Sequence, residues 1–338
     1  GGNNDGQAQL FFIKLSGPGA DDVWDEGSDY HVMTTGVGDA LERNGLSEIE
    51  IADFSGNSIA DRVYAGDLRG NLWVFDLRST SGSWTANNPE KLFTTINNQP
   101  ITSKPSITFN PDMSYNDASK PNLLVIFGSG QFLVNSDKST VENQYIYGLW
   151  DNTLNTTSGF TEITTGDLIE QGPITNIISN GSEYRVMPDP ASVSYQNGDK
   201  GWYLALPNSG ERIISHSLII DNSVIFATMI PSSTPCSLGG SGWIMALDTS
   251  NGSRTSTAIF DINNDAIVNN SDTISVSGND VAVSGQKVEG GIPQTPGRLG
   301  SNLYTSGQNG IAAATRIGSE HDILTRQSWR QHYYINLK

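Results

Sequence analysis

Two short stretches set oxygen-bearing side chains at alternate positions, a spacing suited to a hard cation. In Asp53-Phe54-Ser55-Gly56-Asn57-Ser58-Ile59-Ala60-Asp61 such groups stand at positions 1, 3, 5 and 9, with Gly56 inside and the apolar Ile59 at position 7. Calcium takes six to eight oxygens at about 2.3–2.6 Å from a flexible loop. Alternate residues of a tight loop can point inward together. Asp53, Ser55, Asn57 and Asp61 would then ligate through side chains and Ile59 through its carbonyl, with the Ile59 side chain tucked into the core. Asp67, in the next turn, is a substitute ligand. The second stretch runs from Asp261 to Asp272, with oxygens at positions 1, 3, 5, 9 and 12 and Ile267 at position 7. Here Asp261, Asn263, Asp265 and Asp272 would bind through side chains and Ile267 through its carbonyl. This is the spacing of a twelve-residue calcium loop, with two departures. Ala266 stands where glycine makes the sharp turn, and Asp272 is shorter than the usual bidentate Glu. Both departures weaken binding. The competing reading is plain turn chemistry, because Asp and Asn side chains hydrogen-bond their own backbone in loops.

No catalytic residue is nominated. His31, His216, His321 and His332 lack the spacing of a helical zinc site, and the single Cys236 excludes a thiolate cluster and an internal disulfide. The nucleophile elbow, the phosphate-cradling loop and the dinucleotide fingerprint are all missing from the sequence. The 338 residues carry 19 Lys plus Arg against 36 Asp plus Glu, a formal charge of −17. That balance argues against a nucleic-acid backbone and against an anionic lipid surface as partner. No apolar run approaches ~18 residues, so no membrane insertion is expected. The start, Gly1-Gly2-Asn3-Asn4-Asp5-Gly6, is not a signal peptide and reads as the beginning of a cut or processed chain.

The elements that position these loops are strands. Apolar, β-branched and aromatic stretches recur at Leu10–Leu15, Leu72–Leu77, Leu123–Phe127, Leu218–Ile220, Val224–Met229 and Trp243–Leu247, each bounded by turn residues. This is the pattern of an all-β chain; one short helical turn is expected near 39–44. A glycine turn, an apolar strand and a polar turn repeat at 6–17, 66–77, 240–252 and 306–314. Hairpins repeated without a strict period fit propeller blades or a β-sandwich. Trp73, Trp150, Trp202, Trp243 and Trp329 lie beside strand-like sequence and are expected to pack between sheets, the alternative being platforms for a glycan. No linker divides the chain, which is expected to be one domain over 1–338 or the C-terminal part of one.

The run Asp61-Arg62-Val63-Tyr64-Ala65-Gly66-Asp67-Leu68-Arg69-Gly70-Asn71-Leu72-Trp73-Val74-Phe75-Asp76-Leu77 resembles the C-terminal domain of the PilC/PilY family of type IV pilus proteins. In that family a nine-residue calcium loop directly precedes this run, where Asp53–Asp61 stands here. Further stretches fit: 44–46, 123–130, 145–151, 201–207, Gly210-Glu211-Arg212, 225–231 and 326–330. The resemblance implies a modified β-propeller, usually seven-bladed, of which this chain would hold the later blades. It also implies bound Ca2+, carried over to Asp53, Ser55, Asn57, Ile59 and Asp61, with Ser55 where the family often has Asp. It implies a non-enzymatic role in pilus assembly, in countering retraction and in adhesion. The partners would be minor pilins at the pilus tip and a host or surface ligand, met outside the cell after periplasmic transit. Rival readings are a quinoprotein-type dehydrogenase, whose blades carry similar strands, and a glycan-binding propeller.

Overall fold

A computed structural model describes residues 5–78, 89–113, 120–153, 160–187, 189–232, 239–289, 291–306 and 312–317. Trp329, Cys236, His321, His332 and the 326–330 stretch lie outside the described residues.

The chain opens on a hairpin of β1 (Gln9–Ile13) and β2 (Tyr30–Thr34). A four-stranded antiparallel meander follows, built from β3 (Glu50–Ala52), β4 (Arg62–Gly66), β5 (Asn71–Asp76) and β6 (Glu90–Thr94). Next come β7 (Ser106–Phe109), β8 (Leu123–Gly128), β9 (Tyr145–Asp151) and β10 (Ile169–Gln171), then β11 (Thr175–Ser179), β12 (Ser182–Val186) and β13 (Gly201–Ala205). Strands β7, β8, β9 and β13 make an antiparallel sheet, and β10 adds to β13 in parallel. The rest of the chain supplies β14 (Leu218–Ile220), β15 (Ser223–Ala227), β16 (Ile230–Pro231), β17 (Gly240–Ser241), β18 (Trp243–Asp248), β19 (Thr273–Val276), β20 (Asn279–Ala282), β21 (Gly285–Lys287), β22 (Gly297–Leu299), β23 (Asn302–Ser306) and β24 (Ala312–Arg316). A six-stranded antiparallel sheet has the order β11-β12-β21-β18-β15-β14, and β22-β23-β24 form a three-stranded one. Among the described residues helical structure is confined to short 3-10 turns such as Asn135–Ser139. The helical turn expected near 39–44 is instead an Asx turn, in which Asp39 Oδ1 accepts the N–H groups of Leu41 (2.8 Å) and Glu42 (2.7 Å).

Each central strand buries both of its faces, because successive side chains point to opposite sides of a sheet. On β5, Leu72 and Val74 face the second sheet while Trp73 and Phe75 face the β1–β2 hairpin. On β8, Leu123, Val125 and Phe127 pack against the first sheet, and Leu124 and Ile126 against the six-stranded one. On β18, Trp243, Met245 and Leu247 turn one way, and Ile244 and Ala246 the other, toward Phe260, Ile274 and Leu303. Four apolar layers thus alternate with the sheets, as in successive propeller blades. Trp73, Trp150, Trp202 and Trp243 are all buried in these layers, which withdraws them as glycan platforms.

The layers are tightly closed at Trp202. A Cβ on Gly148 would lie 2.3 Å from its indole, and one on Gly252 would lie 2.1 Å from the same ring, so both positions exclude a side chain. The indole N–H donates to the Thr249 carbonyl at 3.0 Å.

Polar joints hold neighbouring sheets in register. Arg62 on β4 is fully buried and donates to Asp151 on β9 at 2.5 Å, to Asp76 at 3.3 Å and to the Thr153 carbonyl at 2.8 Å. The Tyr64 hydroxyl donates to the same Asp151 oxygen at 2.7 Å. Burial alone would raise the Asp151 carboxyl, but the Arg62 charge and the hydrogen bonds from Thr153 and Tyr64 outweigh it and hold the group below the ordinary carboxylate range. Further along, Arg185 makes a two-pronged pair with Glu211, 2.7 Å at each prong, with its guanidinium 4.0 Å from the Trp243 ring centroid.

Two outcomes are expected. Gly148→Ala should destabilise the fold by about 1–3 kcal/mol, the usual cost of overpacking, as a lower urea midpoint. An unchanged midpoint would mean that the indole layer can yield. For the Arg62–Asp151 joint, an unfolded Asp titrates near ~3.9. Since the native value is lower, the joint's contribution is complete above that pH and drains away as pH falls below it toward the native value. Asp151→Asn should cost about 3–5 kcal/mol at neutral pH and flatten the acid limb of a stability–pH curve.

Candidate metal-binding loops

The first loop, 53–61, is the connection between β3 and β4, and the second, 261–272, leads into β19. The two share one backbone design. In each, positions 4 and 6 adopt left-handed conformations: Gly56 (φ 72°) and Ser58 (φ 66°) in the first, Asn264 (φ 63°) and Ala266 (φ 67°) in the second. In each, the position-1 carboxylate gathers the N–H groups of those two residues. Asp53 accepts from Gly56 and Ser58, both at 2.7 Å, and Asp261 accepts from Asn264 at 2.7 Å and Ala266 at 3.0 Å. The position-5 side chain takes the position-7 N–H in both, Asn57 from Ile59 and Asp265 from Ile267, each at 2.8 Å. The closing carboxylate takes the position-3 N–H in both: Asp61 from Ser55 at 2.8 Å and Asp272 from Asn263 at 3.3 Å.

The oxygens of the first loop converge on Ser55, whose hydroxyl lies 3.3 Å from Asp53 Oδ1 and 3.3 Å from Asp61 Oδ1. In the second loop Asp272 is fully buried and also accepts from Ile262 (2.9 Å) and Asn269 (2.9 Å), while Asn263 donates to Asp265 at 3.2 Å. Among the described residues no three His, Cys, Asp or Glu side chains gather as a metal cluster. Any cation held here is therefore shared with hydroxyl, amide and carbonyl oxygens. That donor set, without nitrogen or sulfur, suits calcium rather than zinc.

Position 7 departs from the sequence expectation. Ile59 and Ile267 are exposed, at 37% and 62%, so neither side chain anchors its loop. The anchors are the position-2 residues, Phe54 and Ile262, both buried. An apolar residue at position 2 of both stretches was the signal available in the sequence. Asp67 does not join the loop either. Its carboxylate is buried in the β4–β5 turn, where it accepts from Arg69 N and Asn71 N (both 2.8 Å), from the Asn44 and Asn71 amides (both 2.9 Å) and from the Trp73 indole (2.8 Å). The Gly-Asp-Leu-x-Gly-Asn-Leu-Trp signature is thus a hairpin held around one carboxylate.

Stacked meander sheets with an acidic loop at a hairpin end define a β-propeller protein. Residues 31–176 match the family described as the PilY1 beta-propeller domain, and the chain belongs to that family. It is 30% identical over 329 residues to the type IV pilus biogenesis factor PilY1 of Pseudomonas aeruginosa (strain PAO1), covering 85% of this chain and 27% of that protein. It is 29% identical over 302 residues to a PilY1 homolog of Xylella fastidiosa, covering 85% of this chain and 22% of that protein. The chain therefore spans about a quarter of the length of these relatives. The crystal structure of the P. aeruginosa PilY1 C-terminal domain superposes with a TM-score of 0.66 at 25% identity, covering 85% of this chain and 64% of that one. The first loop lies within the family match and the second outside it.

Ala266 offers a test of the shared loop geometry. An L-residue in the left-handed region costs roughly 1–2 kcal/mol, which glycine avoids at some entropic cost. Ala266→Gly should raise metal-free stability by about 0.5–1 kcal/mol in thermal unfolding. A loss of stability would rule out the left-handed turn.

Proposed function

We propose that this chain is a calcium-binding propeller domain of a type IV pilus biogenesis protein, acting at the cell surface to promote pilus assembly, oppose retraction and support adhesion. The observation that supports calcium is the shared design of the two loops: left-handed residues at positions 4 and 6, and oxygen donors already turned inward. Asp53, Ser55, Asn57, Asp61 and the Ile59 carbonyl would hold one ion. Asp261, Asn263, Asp265, Asp272 and the Ile267 carbonyl would hold another. The family relationship supports the pilus role, and minor pilins and a host or surface ligand are the partners it suggests.

The chain's own residues give calcium a route to the fold. Asp61 directly precedes Arg62 in β4, and the Phe54 ring lies 6.0 Å from the Arg62 guanidinium and 5.5 Å from that of Arg78. Fixing the loop therefore fixes the residues that join the first two large sheets. A divalent ion also relieves some of the self-repulsion of a chain at −17. The enzyme reading has less support, since the relatives are named pilus biogenesis factors and the sequence carries no catalytic constellation.

Calorimetric titration of calcium into chelator-stripped protein tests this reading, with magnesium as control. Wild type should bind saturably. Asp53→Ala with Asp61→Ala should lose one component, and Asp261→Ala with Asp265→Ala the other; the buried Asp272 is left in place to protect the fold. At a hundredfold excess over Kd, a site specific to the folded state adds about 2.7 kcal/mol, visible as a raised Tm. Absence of heat and of any thermal shift in folded protein would sink the calcium reading. In the full-length parent protein, the Asp53 and Asp61 changes should lower the number of surface pili, and unaltered piliation would remove the link between this loop and assembly.

A further inference from the structure

A cavity of about 330 Å³ opens between the β14–β15 turn and residues 268–270 of the second loop. Its floor is aliphatic, with Ile220 and Ile225 buried and Ile259 half-buried. Its rim carries two carboxylates, Asp221 and Asp248, and amides including Asn269. The exposed Asp221 carboxylate has no hydrogen bond or ion pair among the described residues. Asp248 spends Oδ1 on Ser250 N (2.8 Å), the Ser250 hydroxyl (2.7 Å) and Asn251 N (3.3 Å), and its Oδ2 has no partner among the described residues. Among the described residues no Lys, Arg or aromatic ring lines the cavity.

From this arrangement we infer that the cavity is a docking site for a lysine side chain of a partner protein. The alkyl stem would lie along the isoleucines, and the ammonium would meet Asp221 and the free oxygen of Asp248. Lysine is suited to such a place because it buries its stem and keeps its charge at a polar edge. The volume is at the lower end for a ligand pocket, which leaves room for the side chain and adjoining peptide, and the rim amides can bond that peptide. Two carboxylates without a cationic partner select a cation over an anion. The missing aromatic platform disfavours a sugar. A chain at −17 also attracts a basic partner at long range. Neither carboxylate belongs to the proposed calcium ligand sets, although Val268, Asn269 and Asn270 of the second loop form one wall of the cavity, so the titration is run in chelator both with and without added calcium.

The test is methyl NMR on the full chain with labelled isoleucine δ-methyl groups, titrated with Nα-acetyl-lysine methylamide. Nα-acetyl-norleucine methylamide serves as the uncharged isostere and methyl α-mannoside as the sugar. One partly exposed ion pair contributes little, so a Kd on the order of millimolar is expected. The lysine amide should shift Ile220, Ile225 and Ile259 saturably and bind at least tenfold more tightly than the norleucine amide. Asp221→Asn and Asp248→Asn should each weaken it severalfold. Both variants keep the fold. Asn tolerates the left-handed φ of 50° at position 221, and the amide carbonyl introduced at position 248 can accept the bonds now made to Oδ1. Equal binding of the two amides, shifts centred on other isoleucines, preference for the mannoside, or indifference to both substitutions would each overturn the inference.

Discussion

Burial of both faces of every central strand is the constraint on which the rest of this structure depends. A sheet with one wet face can end a domain, but β5, β8 and β15 have no wet face, and β18 is buried up to its last residue. Each must be covered twice, so the sheets are forced into a stack. Stacking then removes water from whatever polar groups the strands carry. Arg62, Arg185 and Arg212 are all buried, and each is provided for in full. Arg62 has Asp76 and Asp151, and Arg185 has Glu211. Arg212 donates to the carbonyls of Gly210 (2.9 Å), Gln131 (2.8 Å), Asp137 (2.9 Å) and Thr140 (3.0 Å). A charge left unpaired in such a place would cost several kcal/mol, roughly 3–5 by comparison with broken buried pairs, so these contacts fix register as firmly as the apolar layers do.

Much of this is legible in the sequence because its causes are local. The strands at 72–77, 123–127 and 243–247 are marked by period and by flanking turn residues, and the structure sets β5, β8 and β18 within a residue of those bounds. The acidic loops are marked by spacing. What cannot be read is long-range pairing. Arg62 meets Asp151 across 89 residues, and Arg185 meets Glu211 across 26. No short window of sequence contains both partners of either pair. Gly148 and Gly252 are opaque for the same reason, since the Trp202 ring that makes each indispensable comes from β13, distant in sequence from both. Position 7 of the loops misleads for a different reason. On polarity alone Ile59 and Ile267 belong in the core, but the paired left-handed residues at positions 4 and 6 turn the chain so that position 7 faces outward and position 2 faces in.

The signature around Asp67 shows how a family motif can be conformational chemistry and not a binding site. Five donors converge on one buried carboxylate, and three of them come from Asn71, Trp73 and Asn44 side chains. A carboxylate saturated in this way has no lone pairs to offer a cation. The first loop is the opposite case. There Asp53 and Asp61 are bonded mainly to the loop's own N–H groups, which fix direction; Asp53 Oδ1 takes three hydrogen bonds, but Asp53 Oδ2 and both Asp61 oxygens keep further lone pairs. The difference between a structural carboxylate and a candidate ligand is therefore visible in the identity of its donors. Side-chain donors from other elements close the carboxylate off, whereas backbone donors within one loop orient it.

The two loops also differ in what they hold. The first passes directly into Arg62 and rests Phe54 against Arg62 and Arg78, so its geometry is shared with the joint between two sheets. The second rests Ile262 in the apolar layer beneath the last strands and closes on a carboxylate with no exposure to water. Asp272 spends both oxygens on backbone N–H groups from Ile262, Asn263 and Asn269, so the loop is closed by its own bonds before any ion arrives. A loop closed in advance gains less order from a cation than one whose closure rests on a serine hydroxyl 3.3 Å from each of two carboxylates. On that physical ground an ion at the first loop would alter the fold more than an ion at the second, and would do so where two sheets meet.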